Sequence, residues 1–186
     1  MSLNLQKGAK VDLTKSNPGL STIGVGLGWD LNRGNGPAQD LDAFIVPLDS
    51  ANKALPNDTC YYGNKTVLGG SLAHSGDNLT GVGDGDDETI IVKLTEVPAN
   101  VEKLIIAVNI YEAATRNQNF GAVRNAFVRV YDKATNVELL KYDLGEDYST
   151  FQGVVFGELY RHQGEWKFGA VSNGFNGTIN DMLGMY

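Results

Sequence analysis

One acidic segment of the chain, residues 76–88, carries five carboxylates and no positive charge. We call this segment the acidic loop. Four of its carboxylates fall within five positions, so like charges lie close together and repel one another by about 1 kcal/mol per pair even in water. Interspersed glycines allow the backbone to turn its carbonyl oxygens inward. An oxygen-rich loop of this kind suits a hard divalent cation, above all calcium.

Further carboxylates lie on or beside two predicted strands. Residues 22–29 alternate apolar side chains with glycines and lead directly into Asp30. In residues 40–46, Asp40 and Asp42 share one face of a second strand. If these strands meet the acidic loop, eight carboxylates are available, and we expect two calcium ions. The predicted ligands, which include backbone and amide oxygens of the loop, are Asp30, Asp40, Asp42, Asp77, Asn78, Leu79, Gly81, Asp84, Asp86, Asp87 and Glu88.

The spacing of the acidic residues distinguishes this pattern from other metal sites. Counting from Asp77 places Leu79 at the third position, where an EF-hand loop needs a ligand, and counting from Asp84 places Thr95 at the twelfth. Magnesium demands a stricter octahedron, and zinc prefers histidine and cysteine ligands. His74 is predicted to be a strand-end residue with a satisfied ring. The alternative to a metal site is a solvated acidic turn.

Composition and charge limit the classes of function. The chain has 186 residues, of which 42% are hydrophobic, and this predicts a single packed domain over residues 1–186. A formal charge of -7 at pH 7 disfavours non-specific nucleic-acid binding and a polybasic membrane anchor. No apolar run is long enough to span a bilayer, and the first residues lack the apolar core of a secretory signal. We therefore expect a cytoplasmic protein without direct membrane insertion.

The remaining apolar patterns predict the strands that position these residues. Besides those already described, strands are expected at 60–62, 88–94, 103–111, 123–131, 137–144, 153–160 and 165–171, the last four forming two hairpins. Residues 103–111 are apolar on both faces, which is typical of a strand covered on both sides. Pro47 is expected to end the strand that begins at Asp40, and residues 177–186 predict a short helix. Nine or ten strands without long helical crossovers predict an all-β fold, an antiparallel two-sheet β-sandwich with few short helices.

Five stretches of the sequence form a recognisable set. They are MSLNLQKG at 1–8, VGLGWD at 25–30, DLDA at 40–43, HSGDNLTGVGDGDDE at 74–88 and FGELYRHQGEWKF at 156–168. Over nearly its whole length, the chain thus resembles the TerD-like family of bacterial tellurite-resistance and general-stress proteins. The resemblance implies a calcium-binding β-sandwich without an established enzymatic activity, with partners among other proteins of stress operons. It also implies that the eight acidic residues named above occupy the family's acidic positions.

The leading hypothesis is a non-enzymatic calcium-binding module of the stress response, of the tellurite and chemical-damage resistance type. A metal-assisted hydrolase is one alternative, but His74 and His162 are the only histidines that could act as a base, and His162 falls in a predicted turn. A calcium-dependent carbohydrate-binding module is the other, and it needs exposed aromatic rings near the ions. Trp29, which precedes Asp30, is predicted to lie in the core instead. Because tellurite is an anion, its direct capture by an acidic site is unfavourable.

Overall fold

Twelve strands and two short helices make up the regular structure of the computed structural model, which describes residues 3–30, 38–81, 85–144 and 148–186. The strands are β1 (Leu3–Asn4), β2 (Lys10–Asp12), β3 (Thr22–Asp30), β4 (Leu41–Leu48), β5 (Thr66–Val67), β6 (Leu72–His74), β7 (Glu88–Lys93), β8 (Lys103–Ile110), β9 (Arg124–Asp132), β10 (Glu138–Asp143), β11 (Gly153–His162) and β12 (Glu165–Phe175). The helices are α1 (Ala113–Arg116) and α2 (Ile179–Leu183). Neither helix of these described segments could span a bilayer.

The strands form two sheets that pack face to face. One sheet has seven strands in the order β1-β10-β9-β3-β7-β6-β5, and the other has five in the order β2-β12-β11-β8-β4. Within the described residues, every pairing is antiparallel except that of β1 with β10. The predicted all-β, two-sheet β-sandwich is confirmed. Both predicted hairpins are present, as β9–β10 and β11–β12.

The alternation of β3 places its large side chains in the core between the sheets, as predicted. Ile23, Val25, Leu27 and Trp29 are all at most 4% exposed. On the opposite face, Thr22 and Asp30 flank Gly24, Gly26 and Gly28, and residues 85–86 of the acidic loop lie against Gly26 and Gly28. A methyl group added to Gly28 would stand 2.5 Å from the carbonyl oxygen of Gly85. The absence of side chains at these glycines therefore provides the space that the acidic loop occupies.

Strand β4 differs from its prediction, because Pro47 does not end it. Pro47 pairs with Leu104 of β8, and β4 continues to Leu48. This strand is the edge of the five-stranded sheet. The carbonyl oxygen of Pro47 accepts a hydrogen bond from Leu55 on the side away from β8. Because N–H and C=O of one residue point to the same side of an antiparallel strand, the missing N–H of Pro47 costs the sheet no bond.

Two further elements complete the surroundings of the site. Strand β8 is buried on both faces, as predicted, and helix α2 places Met182 in the cluster that covers the outer face of the five-stranded sheet. The expected C-terminal helix is thus confirmed, and Thr178 and Asp181 form a capping box at its start. The strand predicted at 60–62 is reduced to two isolated bridges, one between Cys60 and Ile45 at the free edge of β4 and one between Tyr61 and Asn64.

Candidate metal centre

Three carboxylates meet where β4 begins. Asp40 precedes the strand, Asp42 is its second residue, and Asp77 reaches both from the acidic loop. One oxygen from each residue lies within 4.8 Å of the other two. We call these residues the carboxylate trio. Among the described residues, this is the one group of at least three histidine, cysteine or acidic side chains close enough to share an ion.

Two oxygens of the carboxylate trio have no hydrogen-bond partner. They are Oδ1 of Asp40 and Oδ2 of Asp42. Asp40 is only 6% exposed and Asp42 only 2%. Arg116 approaches the other oxygen of Asp40, but at 3.9 Å. A buried carboxylate oxygen without a partner costs several kcal/mol of folding free energy, of the order of the desolvation penalty of an ion. The donor set consists of oxygen atoms alone, and this is the set that calcium prefers.

Asp40 and Asp42 are buried, whereas Asp77 is exposed, and burial changes the proton affinity of the first two. Burial, followed by the nearby charges of Glu88 and Asp40, raises the pKa of Asp42 to about 8. Burial, followed by the charge of Asp77, raises the pKa of Asp40 to about 6, although Arg116 opposes this change. Without a cation, these two carboxyl groups therefore keep protons that an exposed aspartate would release.

We expect the metal-free protein to lose stability as the pH rises from about 4 to about 8. An unfolded aspartate titrates near pH 4, whereas the folded pKa is about 8 for Asp42 and about 6 for Asp40. In this window the folded state binds more protons than the unfolded state. The free energy of unfolding therefore falls, as the pH rises, by up to about 1.4 kcal/mol per pH unit for each titrating group. Calcium should remove this dependence by replacing the protons. Thermal melting at several pH values, with calcium or a chelator, measures the effect. A metal-free melting temperature that rises throughout this window would contradict it.

Glu88 joins the two sheets beside the carboxylate trio. Glu88 is 1% exposed and is the first residue of β7 in the seven-stranded sheet. Oxygen Oε2 accepts a hydrogen bond of 2.8 Å from the backbone N–H of Ala43 in the other sheet. Oxygen Oε1 accepts one of 3.3 Å from the backbone N–H of Asn78 in the acidic loop. Since Ala43 follows Asp42 and Asn78 follows Asp77, Glu88 fixes the backbone on both sides of the trio.

His74 is the last residue of β6, as predicted, but its ring is only half satisfied, because Nε2 is buried without a hydrogen-bond partner. Nδ1 accepts a hydrogen bond of 3.0 Å from the backbone N–H of Gly76. In a neutral ring the proton must then reside on Nε2, which lies 3.4 Å from Oε2 of Glu88. His74 therefore faces Glu88 without a hydrogen bond to it.

Asp87 and Asn78 hold the acidic loop in its folded form. The carboxylate of Asp87 accepts hydrogen bonds from the backbone N–H of Trp29 at 2.9 Å and from the side-chain amide of Asn78 at 3.0 Å. The amide oxygen of Asn78 in turn accepts from the backbone of Thr80 and of Gly81. Gly81 has a φ of +67° and lies so close to the indole of Trp29 that no side chain would fit. These side chains therefore define the shape of the loop.

Asp86 is paired with a positive charge that the sequence analysis missed. Arg129 of β9 forms two hydrogen bonds with its carboxylate, of 2.7 and 2.9 Å. Arg129 stands opposite Gly26 in the pairing of β9 with β3, and a side chain at Gly26 would collide with Asp86. The one sequence signal for this pair is an arginine inside the otherwise apolar run 126–131.

The other predicted ligands lie apart from the carboxylate trio or outside the described residues. Asp30, at the exposed end of β3, accepts a hydrogen bond of 2.6 Å from the side chain of Asn125. The side chain of Leu79 is exposed. Asp84 falls outside the described residues. Of the predicted set, the structure thus brings Asp40, Asp42 and Asp77 together. Glu88 contacts the backbone of Ala43 and Asn78, the residues that follow two of them.

Comparison with known proteins gives consistent matches over the full length. Residues 1–186 match the sequence model of the TerD domain. The chain is 52% identical over 181 residues to general stress protein 16U of Bacillus subtilis (strain 168), covering 96% of this chain and 94% of that protein. It is 45% identical over 187 residues to tellurium resistance protein TerD of Serratia marcescens, covering 100% and 97%. Its fold matches the crystal structure of a homologue of the telluride resistance protein from Streptomyces coelicolor A3(2), with a TM-score of 0.74, 23% identity and coverage of 89% and 96%.

Proposed function

We propose that this chain, which belongs to the TerD family, is a calcium-binding module of the stress response that acts by interaction and not by catalysis. The observation that carries the proposal is the carboxylate trio, in which buried oxygens of Asp40 and Asp42 have no hydrogen-bond partner. The family is one of tellurium-resistance and general stress proteins. Calcium is the proposed occupant because the trio offers only carboxylate oxygens.

Asp40, Asp42 and Asp77 would hold the ion, with water or loop carbonyls as further ligands. When bound, calcium would supply the positive charge that compensates the three carboxylates. Two members of the trio lie at β4 and the third lies in the acidic loop, so the loop would be tied to the edge of the five-stranded sheet. We propose that this ordered loop is recognised by other proteins of the same stress operons.

A second ion is part of the proposal and would bind on the other side of the acidic loop. Asp87 and Asp30 are close enough for their charges to interact. The pKa of Asp87 is raised, and the main cause is burial. Asp84 is the third candidate for this ion. Asp86 is a weaker candidate, because Arg129 already neutralises it. The stoichiometry of calcium binding distinguishes one ion from two.

The described residues support a role without catalysis. His162 is exposed at the end of β11. His74 is buried, Nδ1 of its ring accepts a hydrogen bond from Gly76, and its Nε2 faces Glu88 at 3.4 Å and does not face the trio. Burial raises the pKa of the Cys60 thiol to about 12, so this cysteine is not an activated nucleophile. Thus neither of the two histidines nor the one cysteine of the chain is arranged beside the trio as an acid, base or nucleophile.

Titration with calcium tests the proposal directly. Isothermal calorimetry should show saturable binding, and calcium at about 100 times its dissociation constant should stabilise the fold by about 2.7 kcal/mol. Magnesium should bind more weakly, since it retains its water and demands stricter geometry. The absence of both heat and a melting shift at millimolar calcium would overturn the proposal.

A further inference from the structure

A cavity of about 480 Å³ adjoins the carboxylate trio. Its walls come from β4, from β8, from the segment around residues 59–62, and from the two short helices α1 and α2. Asp42 lines this cavity and is also a member of the trio. A volume of this size is typical of sites for small molecules.

Three buried polar atoms of the cavity wall have no hydrogen-bond partner. They are Oδ2 of Asp42, Oγ1 of Thr59 and Oδ1 of Asn109. Asp42 and Thr59 are each 2% exposed, and Asn109 is 6% exposed. Buried polar atoms in native proteins almost always have a partner, and a site with several unpaired ones calls for an explanation. A ligand that donates hydrogen bonds would provide that explanation.

Aromatic rings form another part of the wall. Tyr61, Tyr62 and Tyr111 all line the cavity and are half-buried. The ring centroids of Tyr61 and Tyr62 are 5.2 Å apart, and those of Tyr62 and Tyr111 are 6.2 Å apart, both pairs meeting edge to face. Tyrosine offers an apolar surface with a polar end. The cavity therefore suits a ligand that has both an apolar face and polar groups.

The charges around the cavity exclude two classes of ligand. Among the described residues, the lining includes the carboxylates of Asp42 and Glu112 and no lysine or arginine. Arg116 lies just outside it and is already paired with Glu112 at 3.4 Å, so the cavity wall offers no free positive charge to an anion such as a phosphate. An organic ammonium ion only donates hydrogen bonds, whereas the amides of Gln152 and Asn180 in the wall both donate and accept. Calcium held by Asp42 would also repel a second cation. This last argument rests on the proposed function.

We propose that the cavity binds a small uncharged molecule rich in hydroxyl groups, of the monosaccharide and cyclic polyol class. Its C–H face would pack on the tyrosine rings, and its hydroxyl groups would donate to the unpaired oxygens of Asn109 and Thr59. A further hydroxyl would lie beside Asp42, so ligand and ion would share this carboxylate. The edge strand β4 thus places the ion and the organic ligand next to each other at Asp42.

Titration of the calcium-loaded chain with D-glucose, D-mannose, D-ribose and myo-inositol tests this proposal. Nuclear magnetic resonance should show saturable shifts of the Asn109 side-chain amide and of Tyr62 for at least one of these compounds, with a dissociation constant in the millimolar range. Choline and inorganic phosphate serve as the cationic and anionic probes and should leave both signals unchanged. If none of the four compounds gives saturable shifts there, or if choline binds as tightly as the best of them, the proposal is refuted.

Two variants locate the binding. Ala114→Trp places a large ring in the wall formed by α1 and should abolish the shifts, whereas Ala134→Trp, at an exposed alanine of the β9–β10 turn, should not. Asn109→Leu removes one hydrogen-bond partner and should weaken binding by about tenfold. Equal binding by Ala114→Trp and the unchanged chain would contradict the assignment to this cavity.

A calcium titration of the same samples separates the two proposals. Calcium uptake without binding of any of the four compounds refutes the cavity proposal alone. Binding of a sugar or of myo-inositol without calcium uptake refutes the metal centre and leaves the cavity assignment in place.

Discussion

Replacement of Asp42 by asparagine is expected to weaken calcium binding by about 1,000-fold and, at the same time, to stabilise the metal-free protein. Loss of one negative charge about 4 Å from a doubly charged ion removes about 8 kcal/mol of attraction at an effective dielectric constant near 20. The amide oxygen that remains and the proton that need no longer be displaced offset about half of this loss, and the remaining ~4 kcal/mol corresponds to that factor. The metal-free form should be stabilised because burial disfavours the charged state of Asp42, as its raised pKa of about 8 indicates. At about pH 8, the neutral amide avoids this penalty.

The two effects are measured by calorimetric titration with calcium and by urea unfolding in a chelator. Asp143→Asn is the matched control, because Asp143 is exposed and its ion pair with Lys141 spans 3.6 Å. This control should change neither the calcium affinity nor the free energy of unfolding appreciably. Unchanged calcium affinity in Asp42→Asn would show that Asp42 is not a ligand. A metal-free Asp42→Asn variant that is less stable than the unchanged chain at pH 8 would show that its carboxylate has a structural partner.

Local periodicity was sufficient to predict most of the scaffold. The two-residue alternation of β3 identified both its core face, with Trp29 buried, and the bare glycine face against which Gly85 lies. The run over β8, apolar on both faces, correctly indicated a strand covered on both sides. These features follow from neighbouring residues on one strand, and their pattern is therefore visible in the sequence.

The partners of the acidic side chains were not visible in the same way. Asp86 meets Arg129 because β9 pairs with β3 in a particular register, and Glu88 meets the backbone of Ala43 because the two sheets face each other at that point. Both contacts depend on pairings between distant segments, which composition and spacing do not specify. The sequence thus identified which residues are acidic and near one another, but it did not distinguish those that shape the loop from those able to hold an ion.

This distinction gives the acidic residues two different roles. Asp86 and Glu88 have both carboxylate oxygens engaged by donors of the protein. Asp40 and Asp42 retain oxygens without a donor. The first group should determine stability even in the absence of metal, whereas the second should determine cation affinity. Substitution of Glu88 tests the first half of this division.

Glu88→Ala is expected to destabilise the metal-free protein by about 3 to 5 kcal/mol. The substitution leaves the backbone N–H groups of Ala43 and Asn78 buried without an acceptor and deprives His74 of the carboxylate that faces its Nε2. Each unsatisfied buried donor costs about 1 to 3 kcal/mol. Glu88→Gln should fall between this variant and the unchanged chain, since it keeps one acceptor oxygen and turns an NH₂ group toward one of the two donors.

Urea unfolding in the presence of a chelator measures this cost, with Glu96→Ala as the control. The side chain of Glu96 is 55% exposed and forms an ion pair with Lys93 at 3.0 Å, so its loss should change the free energy of unfolding by about 0.5 kcal/mol at most. If Glu88→Ala and Glu96→Ala are equally stable, the hydrogen bonds that Glu88 makes between the two sheets do not contribute to the free energy of unfolding. If Glu88→Ala weakens calcium binding without loss of stability, its carboxylate is a ligand, as the sequence pattern alone predicts.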